Sequence, residues 1–149
     1  MSLASVFNIA GTGMSAQTTR LNTVASNIAN AETVSSSLDK TYRARHPVFA
    51  TMLQDQSGGT DTSQSLFQDA DNSGSGVQVA GIVEDQSNLE ARYEPSSPAA
   101  NKDGYVYYPN VNVVSEMADM ISASRSFQTN ADLMNTAKTM MQKVLTLGQ

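Results

Sequence analysis

Residues 13–32 read GMSAQTTRLNTVASNIANAE, and Arg20 is the only lysine, arginine, aspartate or glutamate before Glu32. Outward from this stretch, Leu3, Phe7, Ala10, Met14, Gln17, Leu21, Val24 and Ile28 recur at alternating intervals of four and three. That spacing is the seam of a helix that packs on another helix, and Gln17 alone interrupts its apolar character. A helix over residues 3–30 is about 40 Å long, too long to lie within a small compact domain, so it projects from one. An outer face that met only water would carry Lys, Glu or Arg for solubility and for pairing along the helix. Serine, threonine, asparagine and glutamine there instead permit close approach on more than one side, with hydroxyls and amides able to satisfy one another across the contacts. This is the surface of a subunit inside an assembly, folded beforehand or ordered when its neighbours arrive.

The C-terminal segment repeats the pattern. Val113, Met117, Met120, Ser124, Phe127, Ala131, Met134, Lys138, Met141 and Leu145 again alternate four and three, with Ser124 and Lys138 as exceptions. Pro109 stops a helix from running back through YVYYPN, and Asn110 or Asn112 is placed to cap the helix that starts near residue 111 and ends by Gly148. Glu116 and Asp119 then lie near the positive end of its dipole. Two seams at opposite ends of the chain suit a paired or bundled arrangement of the termini.

Between them the character changes. TYRARHPVFATML, residues 41–53, reads as extended, with Pro47 confining it to an edge or a turn. QDQSGGTDTSQSLFQDADNSGSG, residues 54–76, reads as a mobile loop. VQVAGIVED (77–85) and LEARYEP (89–95) alternate as the two strands of a hairpin. The expected fold is mainly α with a small β insertion. Residues 1–36 and 110–149 form helical assembly segments, and 37–109 a small β-rich middle domain.

With 14 acidic against 9 basic residues in 149, the net charge is −5. No basic cluster offers the footprint that phosphate neutralisation requires, so nucleic acid is not an expected partner. There is no cysteine, which excludes disulfides, thiol catalysis and thiolate metal sites. The N-terminus has no basic residue ahead of its apolar ones, unlike a general secretory signal, and no run approaches the length of a membrane span.

The segment 69–76, DADNSGSG, imitates the start of a calcium loop through Asp69, Asp71, Ser73 and Gly74, but Ala80 stands where the bidentate glutamate belongs. His46 is the only histidine, so a histidine metal cluster cannot form within one chain. Gly11 and Gly13 lack the following Lys-Ser/Thr of a phosphate loop and read as sites of close helix approach. Tyr105, Tyr107 and Tyr108 read as structural at a strand-to-helix junction. No catalytic, cofactor-binding or metal-binding residue is assigned, and no small-molecule substrate is expected.

AGTGMSAQTTRLNTVASNIANAET (10–33) and PNVNVVSEMADMISASRSFQTNADLMNTAKTMMQKVLTLGQ (109–149) resemble the paired terminal motifs of bacterial flagellar rod and hook proteins. The short length, KTYRARHPVF (40–49) and GYVYYPNVNVV (104–114) are most similar to a proximal-rod subunit. Many relatives continue after NIANA with Thr-Pro-Gly-Tyr; this chain has ETVSSSLDKTYRA, which separates it from the hook and distal-rod types. The resemblance implies a structural subunit of the hollow drive shaft that carries motor torque to the hook. It implies passage through the flagellar type III export apparatus without cleavage, and assembly in the periplasmic part of the basal body. The implied partners are copies of the chain, the rod subunits FlgB, FlgF and distal-rod FlgG, and the FliE junction protein. On that basis the assembly contacts are expected at Met14, Leu21, Val24 and Ile28 of the first helix and at Met117, Met120, Phe127, Met134 and Met141 of the last. Asn27, Asn30 and Asn130, which match the family motif, are expected to form amide hydrogen bonds between helices, and Arg125 to pair with a carboxylate of a neighbour. The readings that compete with this one are a hook or distal-rod protein, and a free-standing helical adaptor of the export system.

Overall fold

The computed structural model describes residues 3–52 and 76–147. Residues 54–75 of the expected loop, with Asp69, Asp71, Ser73 and Gly74, lie outside the described residues. The chain runs from helix α1 (Leu3–Asn30) through a short 3₁₀ turn (Leu38–Lys40) into strands β1 (Arg45–Thr51), β2 (Val77–Glu84), β3 (Glu90–Tyr93) and β4 (Tyr105–Tyr108). It ends in helix α2 (Val113–Leu147). Mainly α with a small β insertion is therefore the observed class.

The two helices pack along each other antiparallel, because Gly13 lies against Asn130 while Arg20, further along α1, reaches back to Asp119. Asn112 caps α2, its Oδ1 accepting from the Val114 and Ser115 amides at 3.1 and 3.2 Å. At 35 residues α2 extends for about 50 Å against 28 residues of α1.

The expected hairpin of residues 77–85 with 89–95 does not form. β2 pairs instead with β1, and β3 with β4, both antiparallel, giving two separate two-stranded sheets. The link after β2 is held open: the Asp85 carbonyl accepts from Arg43 and Asn110, and the Ser87 carbonyl from Arg43 at 3.1 Å. Pinned from both sides, it cannot turn back on β2.

Pro47 sits in β1 without loss. Arg45 faces Glu84 across the ladder, yet its own N–H and C=O turn away from β2 to the side-chain amide of Asn27 in α1. Such positions alternate in an antiparallel ladder. Pro47, two residues on and ahead of the irregularity at Val48/Phe49, faces outward too, where no rung needs its missing N–H.

The buried apolar side chains among the described residues are Ala10, Ala16, Val24, Ala44, Val106, Ala123 and Ala137. Five of the seven are alanines, each of which contributes only about one buried methyl. Many larger side chains stay at the surface, including Ile121, Val144 and Leu145, at 56%, 63% and 68% exposed. The helical pair is thus closely spaced but thinly held by apolar burial.

α1 also packs on β1 and β2, and Gly76, just ahead of β2, lies close against Thr12 of α1. Its φ of +130° disfavours any side chain, and a Cβ there would run into Thr12 Oγ1. Gly76→Ala should cost about 1–3 kcal/mol from backbone conformation before the clash is counted. A urea midpoint equal to that of the parent, followed by far-ultraviolet dichroism, would refute this.

Candidate assembly interface

The seam of α1 is divided in the folded chain. Val24 is buried, with Ala10 and Ala16, whereas Met14, Leu21 and Ile28 are half-buried. On α2 the seam is displaced by one residue along half of its length. Glu116, Ala123 and Ala137 are buried and Asn130 is half-buried, seven residues apart in each step, in place of Met117, Ser124, Ala131 and Lys138. Met120 and Met134 are half-buried as the other half of the seam, while Met117, Phe127 and Met141 are 51%, 36% and 38% exposed. Small side chains meet α1, and methionines that the spacing placed in the seam stand outside it.

The charges of the two helices meet once. Arg20 Nη2 donates to Asp119 Oδ1 at 2.7 Å, with both side chains part-exposed, so the single charge of α1 is used within the chain. Arg125 is exposed and has no ion pair among the described residues. Two polar atoms are buried without a partner there, Gln17 Oε1 and Glu116 Oε2. The Glu116 carboxylate lies in the first turn of α2, where the helix N-terminus favours it.

The asparagines act differently from one another. Asn27, expected to bond another helix, is completely buried and turned to the β region. Its Nδ2 donates to the Arg45 carbonyl at 2.9 Å, and its Oδ1 accepts from the Arg45 amide at 3.0 Å and the Tyr42 hydroxyl at 2.9 Å. With the Tyr42 proton given to Asn27, Ser26 Oγ is the donor in its 3.3 Å contact with Tyr42. Asn30 donates to the Ser26 carbonyl of its own helix. Asn130 packs over Gly13, where a Cβ would come within 3.0 Å of its Nδ2. Gly13 is thus a point of close approach between helices. Gly11 is not, since a Cβ there meets nothing within 4 Å.

Seven hydroxyls of the uncharged faces are used within their own helices. Thr18, Thr19 and Thr23 donate to the carbonyls of Met14, Ser15 and Thr19, and on α2 Ser126, Thr129, Thr136 and Thr139 likewise donate four residues back. The expected satisfaction across contacts is replaced by satisfaction within each helix. Such a face can be covered without stranding a donor.

Sequence reasoning missed two elements of this surface. Val114 and Ile121, 78% and 56% exposed, continue Met117 as an apolar stripe at three–four spacing on α2, a period that was available in the sequence. Asn110 was read as a possible cap and instead ties three segments together. Its Oδ1 accepts from the Ala44 amide at 2.8 Å, and its Nδ2 donates to Ser87 Oγ at 2.7 Å and to the Asp85 carbonyl at 3.3 Å. No spacing rule reveals that.

Beside it, the Ser87 amide and then the Ser87 hydroxyl donate to the Asp85 carboxylate, and these bonds hold its pKa below the ordinary value. A depressed carboxylate contributes stability above its unfolded pKa and loses it as the pH falls through the lower folded value. The Ser87 amide resonance should therefore keep its hydrogen-bonded shift as the pH falls through about 3.9 and move only at lower pH. A midpoint at or above that value in an NMR titration would contradict the bonding described.

Among the described residues no group of acidic and histidine side chains is placed to hold a metal ion, and no helix is long and apolar enough to cross a membrane. His46 is exposed on β1. Tyr105, Tyr107 and Tyr108 form β4, four residues before α2 begins.

Two family models match the chain: "Flagella basal body rod protein" over residues 7–34 and "Flagellar basal body rod FlgEFG protein C-terminal" over residues 102–147. The chain is 44% identical over 149 residues to the flagellar basal-body rod protein FlgC of Salmonella typhimurium, with all of both chains covered. It is 43% identical to FlgC of Escherichia coli O157:H7 over the same full lengths. With FlgC of Borreliella burgdorferi it shares 37% over 153 residues, covering all of this chain and 99% of the other.

Proposed function

The chain belongs to the FlgC family of flagellar basal-body rod proteins and is a structural subunit of the rod, and from that premise we propose that it polymerises through α1 and α2. The observation that carries this is the mismatch between the buried and exposed faces of the helical pair. Alanines occupy the intrachain contact, while Val114, Met117, Ile121, Met140, Val144 and Leu145 remain exposed. Apolar area of that extent on helices with self-satisfied hydroxyls is suited to being covered by a neighbour.

Met14, Leu21, Val24, Ile28, Met117, Met120, Phe127, Met134 and Met141 are the proposed assembly contacts, with Asn30, Asn130 and Arg125 at their margins. Asn27 serves the same surface from within, by fixing β1 on α1. Residues 1–36 and 110–149 act as the assembly segments around a middle domain of 37–109. As a rod protein the chain assembles with other rod components and with itself. The specific neighbours proposed are FlgB, FlgF, FlgG and the FliE junction protein. The role is non-enzymatic: the chain forms part of the drive shaft in the periplasm, reached uncleaved through the type III export apparatus.

Expressed in a strain lacking its own rod subunit of this type, the chain should restore swimming and appear in purified basal bodies at the mass of the uncleaved polypeptide. Its absence from basal bodies of swimming cells, or its presence only in shortened form, would overturn the proposal.

A further inference from the structure

The β3–β4 ribbon has no extensive contact with either helix or with β1 and β2, and all four residues of β3 are exposed, although Val106 of β4 is fully buried. Its main backbone ties to the rest of the chain lie towards its base. Beside the Arg43 bonds to the Asp85 and Ser87 carbonyls, two sets of bonds act there. Ser35 and Tyr107 exchange amide-to-carbonyl bonds of 3.1 and 3.0 Å, and the Asn110 amide gathers the chain entering the ribbon and the chain leaving it.

The entering link contributes the Asp85 carbonyl and Ser87 Oγ, both accepting from Asn110 Nδ2; the leaving link contributes Asn110 itself, after the buried Pro109. Asn110 Oδ1 fastens both to the amide of Ala44, a buried residue immediately before β1. The Asp85 amide donates to the Ala44 carbonyl at 2.8 Å, whereas the return bond is replaced by the asparagine side chain. One side chain thus stands as the missing half of a ladder rung and joins the ribbon to the sheet that α1 holds.

We propose that Asn110 is an orientation lock, which fixes the β3–β4 ribbon relative to the helical pair and without which the ribbon swings about its two connections. The consequence rests on the rod-subunit reading, since a subunit that carries twist must move as one body. The test does not depend on assembly.

The chain has no cysteine, so spin labels can be placed at will on the full-length protein at exposed positions. The pair Ser15→Cys and Ala91→Cys reports the ribbon against α1; Ser15→Cys and Gln128→Cys reports α1 against α2. Both distance distributions should be narrow in the parent by double electron–electron resonance. Asn110→Ala should broaden the first about twofold and leave the second unchanged. Asn110→Asp, which retains the acceptor for Ala44 and loses both donors, should give an intermediate width. A ribbon distance as narrow in Asn110→Ala as in the parent would overturn the lock, as would a parent already broad. Equal broadening of both pairs would overturn it too, by making Asn110 a residue of general folding. Loss of swimming with all of these distances unaltered would bear on the assembly contacts instead.

Discussion

Leu21→Asp is expected to abolish incorporation into the rod, and swimming with it. Leu21 is half-buried in the single chain, one turn from buried Val24. A neighbour that completes its cover would remove the aspartate from water, and Arg20, the one cation of its own helix, is already bound to Asp119. An uncompensated charge in such a position costs about 3–5 kcal/mol, and a polymer incurs it at every subunit. Leu21→Met preserves volume and apolarity and should swim normally. Motility of the aspartate variant in soft agar equal to that of the parent would remove Leu21 from the assembly contacts.

Asn27→Ala should destabilise the folded chain by about 3–5 kcal/mol. The substitution removes the partner of the Arg45 amide and carbonyl and one of the two partners of the Tyr42 hydroxyl, at a side chain that is itself completely buried, and each group left unsatisfied costs about 1–3 kcal/mol. For a chain of this size the melting temperature should fall by about 10–15 °C. Asn30→Ala provides the contrast, since that amide bonds only to its own helix and its loss should stay within about 1 kcal/mol. Equal losses for the two asparagines would show that the bonds to β1 carry no special weight.

The existence, type and approximate ends of both helices were legible because their period runs through many turns. Which face of α2 meets α1 was not. Large apolar side chains mark a core when a helix has one partner. On α2 Met117, Met141 and Ile121 lie away from α1, while Ala123 and Ala137 make the contact, and period alone cannot rank two apolar faces. The error was therefore a shift of one residue along half of the seam.

The β region failed for a different reason. Adjacent alternating segments favour a hairpin, but β2 finds its partner in β1, the strand before the 54–76 segment. The choice depends on Arg43 and Asn110 holding the link at Asp85 and Ser87, contacts that span from 23 to 66 residues of sequence. Asn27 was expected to bond another helix, yet the partner of its amide is a strand 18 residues away. A motif shows that such an amide is used without showing what it holds.

The hydroxyls of Thr18, Thr19, Thr23, Ser126, Thr129, Thr136 and Thr139, each turned to a carbonyl of its own helix, bear on how a joint made from these helices responds to its medium. Contacts made by methyl groups and internally bonded hydroxyls contain no ions for dissolved salt to screen, in contrast to surfaces joined by exposed ion pairs. Away from the Arg125 margin their strength is then nearly independent of ionic strength, and chaotropes that solvate apolar and peptide groups weaken them before sodium chloride does.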